Sequence, residues 1–209
     1  MQAMTEAFEL AQRLRRAIGD GRVLAAIASI PRERFVPMRE RRRAYENVAL
    51  PIACDQTISQ PLVVARMLEL LAPTPTDRVL DVGTGSGYHA ALLALLADHV
   101  WSIERHPELS EQAAIALASL GLDDQVTLIV GDGWSGVPDQ APFDAINVAA
   151  AVGDAIPTAL EDQLAIGGRL VAPVGRESQH LMLVTRGEAG LQRAELEAVR
   201  FVPLVREDQ

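Results

Sequence analysis

The sequence predicts an α/β fold, a doubly wound, mostly parallel sheet with a helical extension ahead of it, and three observations carry that reading. A short apolar strand, Arg78-Val-Leu-Asp-Val82, runs into a three-glycine turn and from there directly into an apolar helix. A second apolar run, His99-Val-Trp-Ser-Ile103, ends on an acid, Glu104, roughly 20 residues beyond the turn, as in doubly wound nucleotide-binding sheets. Two further runs, Gln125-Val-Thr-Leu-Ile-Val130 and Pro142-Phe-Asp-Ala-Ile-Asn-Val148, complete the order strand, helix, strand, helix, strand, turn, strand. That order belongs to a parallel sheet with helices on both faces.

Ahead of the sheet, residues 10–30 carry helical spacing interrupted near Gly19 and Gly21, and Ile30-Pro-Arg-Glu-Arg-Phe-Val36 reads as a helix end and a new turn. After Tyr45-Glu-Asn-Val-Ala-Leu-Pro51 and Cys54-Asp-Gln-Thr-Ile-Ser-Gln-Pro61, a helix begins with Pro61 in its first turn. Ser59 or Gln60 is placed to cap it, and Val63, Val64, Met67, Leu68 and Leu71 form its expected buried face. Leu92 to Ala97 reads as part of an amphipathic helix ending at Asp98. The expected division is a single domain: an N-terminal helical extension and active-site segment over 1–75, a cofactor-binding core over 76–185, and C-terminal strands with a substrate-side segment over 186–209.

The turn narrows the ligand. Gly83, Gly85 and Gly87 remove Cβ atoms where the backbone must turn sharply and approach a bound group, and the following helix is expected to aim free N–H groups at it. A pyrophosphate cofactor favours the spacing G-x-G-x-x-G, whereas this chain has Gly83-x-Gly85-x-Gly87 with Asp81 two residues earlier. A carboxylate there suits a cationic ligand, and S-adenosylmethionine carries a sulfonium and an ammonium but no phosphate. A nicotinamide or flavin site and a purely structural strand-turn-helix remain open on the turn alone. Glu104 would hold the ribose hydroxyls, and Gly131-Asp132-Gly133 would set a carboxylate near the adenine amino group. Taken singly, Asp132 and Asp144 read better as residues that cap or end elements.

Composition excludes several chemistries. All 19 basic residues are arginine, so no lysine can serve a P-loop, a Schiff base or general-base catalysis. The single Cys54 rules out internal disulfides and multi-cysteine metal sites; His89, His99, His106 and His180 lack ligand spacing and read as helix-surface or loop residues, so no metal is expected. A net charge of −9 argues against nucleic acid. Residues 1–43 are the exception, with 10 Arg against 5 acids, read as a basic face solvated or paired with the acidic body. No apolar run is long enough to span a membrane and no secretory signal is present, so the expectation is a cytoplasmic protein, monomeric by default.

Several segments together resemble the protein-L-isoaspartate O-methyltransferases, the bacterial members above all. They are Ile30-Pro-Arg-Glu-Arg-Phe-Val36, Asn47-Val-Ala-Leu-Pro51, Gln56-Thr-Ile-Ser-Gln-Pro61, the glycine turn with its strand, Gly131-Asp-Gly-Trp134, Pro142-Phe-Asp-Ala-Ile146 and Arg200-Phe-Val-Pro-Leu204. The resemblance implies a sheet of the class I S-adenosylmethionine-dependent methyltransferase type. It also implies methyl transfer to the α-carboxylate of L-isoaspartyl residues in damaged peptides and proteins, whose esters close to a succinimide and so begin repair. By motif, Asp81, Gly83, Thr84, Gly85, Ser86, Gly87, Glu104, Asp132 and Gly133 would hold the cofactor. Ser59 would be the active-site hydroxyl, and Thr57, Ile58, Val199, Arg200, Phe201 and Val202 would enclose the peptide, with S-adenosylhomocysteine as the product. Arg200 is equally well read as a surface salt-bridge partner.

Two segments depart from that pattern. Ala53-Cys54-Asp55 stands where relatives often have glycines, bringing bulk and a negative charge expected to lie near the substrate carboxylate. Ala151-Val152 stands where relatives commonly have a proline after an alanine pair, so the loop is expected to sit differently. Two other readings stay open at this level: a carboxyl methyltransferase dedicated to one peptide, and a non-catalytic adaptor that binds S-adenosylmethionine.

Overall fold

The computed structural model describes residues 2–206. Its centre is a seven-stranded sheet in the order β5-β4-β3-β6-β7-β8-β9. The first five of these, β3 (Arg78–Val82), β4 (His99–Glu104), β5 (Val126–Val130), β6 (Phe143–Val148) and β7 (Leu164–Val174), are mutually parallel along the order. β8 (Gln179–Gly187) and β9 (Gly190–Val199) extend the sheet as an antiparallel hairpin. From β3 the chain builds outward through β4 and β5, then returns to add β6 on the other side. The crevice between diverging connections at such a switch point is where open α/β sheets bind ligands. The sequence boundary drawn at 185/186 falls inside β8.

Strand alternation sends Val79 and Ala145 to one face and Leu80, Val82, Ile146 and Val148 to the other. The first face is thickly covered by α1 (Gln2–Leu14), α2 (Gly21–Ser29), α3 (Pro61–Leu71), α4 (Tyr88–Ala94) and α5 (Pro107–Ala118). The second carries only the one-turn α6 (Thr158–Asp162), with Leu160 packed into the apolar layer. Helices do lie on both faces, but unequally, because the β5 to β6 connection holds only a short 3₁₀ turn, Pro138–Gln140.

Several local expectations are corrected. Every residue of α4 is buried, so this helix is wrapped by the extension rather than amphipathic, and it ends at Ala94, short of Asp98. His89 goes with it into the interior, while His99 and His180 lie on strands. Val63 is only half-buried on α3. The cap of α3 comes from neither Ser59 nor the Gln60 side chain: Asn47 Oδ1 accepts from Leu62 N at 3.0 Å, across 15 residues of chain. Asp144 does serve structure, its Oδ2 accepting from Arg78 N at 2.9 Å. The basic N-terminal segment pairs largely with its own acids, as in Arg43 with Glu40 and Glu46.

Between the two 3₁₀ turns at Arg32–Phe35 and Met38–Arg43 and the start of α3 lies a small hairpin, β1 (Leu50–Pro51) with β2 (Thr57–Ile58). It crosses over the glycine turn: a Cβ on Gly85 would come to 3.7 Å from Ile52 Cδ1. Gln56 N donates to Ala53 O, and both central residues of the reversal, Cys54 and Asp55, have φ of 55°. Left-handed φ at both central positions is the requirement of a type I′ hairpin turn, which glycine and asparagine satisfy best. The departure at Ala53-Cys54-Asp55 is therefore a departure in turn chemistry. Asp55 is exposed at the hairpin tip, where Cys54 Sγ faces Glu108 at 3.8 Å, and lines neither cleft described below.

Candidate active site

At the C-terminal ends of β3 and β4 the backbone turns through Gly83, Gly85 and Gly87 at φ of 89°, 53° and 86°. Side chains rarely adopt these angles, and a Cβ on Gly87 would also lie 3.0 Å from Ala113 Cβ on α5. The expectation that free amides point at the ligand is not met. Gly83 N and Thr84 N donate to Ile103 O, Gly85 N to Glu104 Oε2, Gly87 N to Thr84 O and Tyr88 N to Ser86 Oγ. A turn whose donors are so largely used internally is poorly suited to a pyrophosphate and suits a ligand without one.

Glu104, 6% exposed, is fixed by two amides, Gly85 N at 2.9 Å and His106 N at 3.0 Å. An ionised carboxylate has about four acceptor positions, so two remain for hydroxyl donors in the cleft it borders. That cleft is walled by Gly83, Gly85, Ile103, Gly133 and Ala149, and closed on the far side by residues 202–205. Gly133 is required by space, since a Cβ there would lie 2.7 Å from Val82 Cγ1. Asp132 stands beside the cleft with Oδ1 accepting from Trp134 N at 2.9 Å.

Asp81 is placed differently from the expectation. It is fully buried beneath the turn, Oδ1 accepting from Asn147 Nδ2 and Oδ2 from Ser102 Oγ, both at 2.8 Å, and Ser102 in turn meets Thr84 Oγ1 at 2.6 Å. Complete burial pushes its carboxyl up to about 6 against the opposing hydrogen bonds from Asn147 and Ser102, with the nearby Glu104 charge adding to the rise. Asp81 and Thr84 thus brace the turn from below rather than line the cleft. Ser86 faces a separate groove on the helical side, between Phe35 and Leu109. The bracing row was visible in principle, because parallel register sets Asp81 opposite both Ser102 and Asn147. Three polar residues in the middle of three apolar strands are its signature.

A second cleft opens on the other side of the hairpin, lined by Thr57, Ser59, Val199, Arg200, Phe201 and Val202, with Gln60 and Val63 at its floor. Thr57, Ala149 and Val202 border both clefts, so the two meet at that point. Ile58 is corrected: 4% exposed and paired with Leu50, it packs in the apolar core. Arg200 is exposed at the cleft and forms no ion pair among the described residues, which removes the salt-bridge reading. Sequence reasoning missed Gln56 and Ala149 in the walls, and also Gln179 and Ala151, which hold the segment 201–204 in place. The last two act through backbone groups far away in sequence and left no local pattern.

A mostly parallel sheet with a glycine turn and an acid at the next strand end defines a class I methyltransferase fold. A family profile described as protein-L-isoaspartate(D-aspartate) O-methyltransferase matches residues 5–209, and the chain belongs to that family. Relatives named protein-L-isoaspartate O-methyltransferase include one from Koribacter versatilis, 54% identical over 91% of this chain and 85% of its own. Another, from Aeromonas hydrophila, is 50% identical over 94% of this chain and 95% of its own. A solved structure of that name superposes with a TM-score of 0.83 at 28% identity, over 93% of this chain and 64% of the other. A Plasmodium falciparum structure described as such an enzyme, in complex with S-adenosyl-L-homocysteine, superposes with a TM-score of 0.84 at 24% identity, over 95% of this chain and 98% of its own.

Proposed function

We propose that this chain methylates the α-carboxylate of L-isoaspartyl residues in peptides and proteins, using S-adenosylmethionine, and so initiates their repair. The observation that carries the reading is the meeting of the two clefts at Thr57, Ala149 and Val202, with the glycine turn and Glu104 on one side and Ser59 on the other. Family membership at about half identity over nearly the whole chain supports the same activity.

The residues fit the cofactor. Gly83, Gly85 and Gly133 leave room against the backbone, Glu104 offers acceptors for a ribose diol, and Asp132 and Gly133 border the position suited to the adenine. S-adenosylmethionine supplies an electrophilic methyl group, and its cationic centre is compatible with the acidic lining. A substrate carboxylate is already ionised at neutral pH, so no general base is needed and the absence of lysine is no handicap. Ser59 donates a hydrogen bond that orients the attacking oxygen; among the described residues no hydrogen bond engages its hydroxyl. Thr57, Phe201 and Val202 exclude water at the junction, and Arg200 meets peptide carbonyls or a carboxylate at the cleft mouth. One carbon–oxygen bond forms as the carbon–sulfur bond breaks, and no proton moves.

The test is transfer of labelled methyl to a synthetic isoaspartyl peptide beside its aspartyl twin. Base-labile ester on the isoaspartyl peptide alone, cut at least tenfold by Ser59→Ala, is expected. Methylation of neither peptide, with cofactor bound, would overturn the reading in favour of a dedicated-substrate enzyme or a non-catalytic binder.

A further inference from the structure

Arg32 is 0% exposed and heads the largest fully buried side chains of the protein. Its Nε donates to Ala44 O at 2.9 Å and its Nη2 to Ser59 O at 2.8 Å, while the guanidinium lies 4.9 Å from the centre of the Tyr88 ring. Among the described residues no carboxylate is within ion-pair distance of it. Arg32 Nη1, Tyr88 OH and His89 Nε2 are buried without a hydrogen-bond partner.

This is a costly arrangement if packing were its only purpose, since burying a cation without a counterion costs several kcal/mol and an apolar side chain of similar volume would fill the space. Burial lowers the guanidinium only to about 10, so it stays charged at neutral pH, and it pushes the adjoining His89 down to about 4, leaving that ring neutral. The cation therefore faces no compensating anion from α4. Its geometry converges on Ser59, whose following residue, Gln60, is confined to extended backbone by Pro61 (φ −53°, ψ 134°).

We propose that Arg32 is a positioning residue for the substrate carboxylate: its guanidinium pins the Ser59 carbonyl and sets an unpaired positive charge behind the wall against which that carboxylate binds. Through a dry interior the charge is little screened, so it favours the anionic substrate and loses its hold on the neutral ester product. This rests on the carboxylate-methylation reading given above. It assigns the anion's attraction to a residue that lines neither cleft.

The experiment measures affinity of the whole protein, loaded with S-adenosylhomocysteine, for an isoaspartyl peptide and for the same peptide with that carboxylate replaced by carboxamide. The wild type is expected to prefer the carboxylate. Arg32→Met should reduce that preference at least tenfold, Arg32→Lys should retain most of it, and S-adenosylhomocysteine affinity should change less than twofold in both. If Arg32→Met does not fold, Arg32→Gln, which keeps N–H donors without the charge, is expected to lose the preference equally. An unchanged preference in Met or Gln variants overturns the proposal while leaving the methylation reading intact. Equal loss in the Lys variant, or a parallel loss of S-adenosylhomocysteine affinity, overturns it as mere structural damage. A wild type with no preference overturns both.

Discussion

The side-chain amide of Gln179 holds the backbone of Phe201 at both ends, Oε1 accepting from Phe201 N at 2.6 Å and Nε2 donating to Phe201 O at 3.2 Å. The β8–β9 ladder begins at Gln179 opposite Val199, so the side chain continues the pairing where the strand stops. Phe201 and Val202 wall the substrate cleft, which makes a residue outside the cleft responsible for its shape. Gln179→Leu removes two hydrogen bonds worth about 0.5–1.5 kcal/mol each. The expected outcome is faster hydrogen exchange over 200–204 and a several-fold rise in KM for the isoaspartyl peptide. Unchanged exchange at Phe201 would show that the pair does not hold the segment.

Ala151 holds the same segment from the other side. Its N donates to Val202 O and its O accepts from Leu204 N, both at 2.8 Å, and it forms an isolated parallel bridge with Pro203. The alanine found where relatives commonly have proline therefore supplies a donor that proline lacks. Ala151→Pro is expected to leave the Leu204 contact, lose the Val202 contact at about 1 kcal/mol, and raise peptide KM more than it changes cofactor affinity. Calorimetry with S-adenosylhomocysteine beside peptide kinetics separates the two. Equal changes in both would mean that the whole loop has moved.

At the hairpin tip, Cys54 and Asp55 both have φ of 55°. A left-handed conformation costs an ordinary L-residue about 1–2 kcal/mol, less for Asp. Cys54→Asn combined with Asp55→Gly matches the turn's preference and is expected to raise stability by about 1 kcal/mol, read by thermal or urea unfolding. Since neither side chain lines the substrate cleft, the peptide KM should change less than twofold. A large drop in KM would mean that the Asp55 charge does reach the substrate.

What the sequence made legible was local. The glycine turn, the strand ends at Val82 and Glu104 and the start of α3 at Pro61 each depend on neighbours a few residues away. The misses depend on residues brought together by the fold. Ser59 looked like a helix cap because Asn47, which supplies the α3 contact, lies 15 residues from Leu62. Asp81 looked like a ligand-binding carboxylate because its partners Ser102 and Asn147 become neighbours only once β3 is flanked by β4 and β6. Arg32 was hidden in a run of arginines whose other members are not buried. Charge count alone gives no sign of which one faces inward.

Asp81 offers a test in which the sign is fixed by linkage. Its carboxyl is raised to about 6 in the folded protein from 3.8, chiefly by burial, so the folded state holds the proton more tightly than the unfolded state. The stabilisation this gives is fully present below pH 3.8 and is lost as pH rises through 6. Because a tenfold change in proton affinity is worth about 1.4 kcal/mol, ionised Asp81 costs on the order of 3 kcal/mol above that window. Asp81→Asn stays neutral and can keep its partners, with the Ser102 hydroxyl turning to accept. The variant should therefore gain stability relative to the wild type by about 1–2 kcal/mol between pH 5 and pH 7.5, because only the wild type ionises over that range. Comparing the two proteins at each pH cancels carboxylates that shift the other way, such as Asp77 and Glu69, whose hydrogen bonds hold them low despite partial burial. Urea unfolding at the two pH values reads the gap. A gap that stays constant would mean that Asp81 does not change its charge there, and that the row Ser102–Asp81–Asn147 braces the glycine turn in one protonation state throughout.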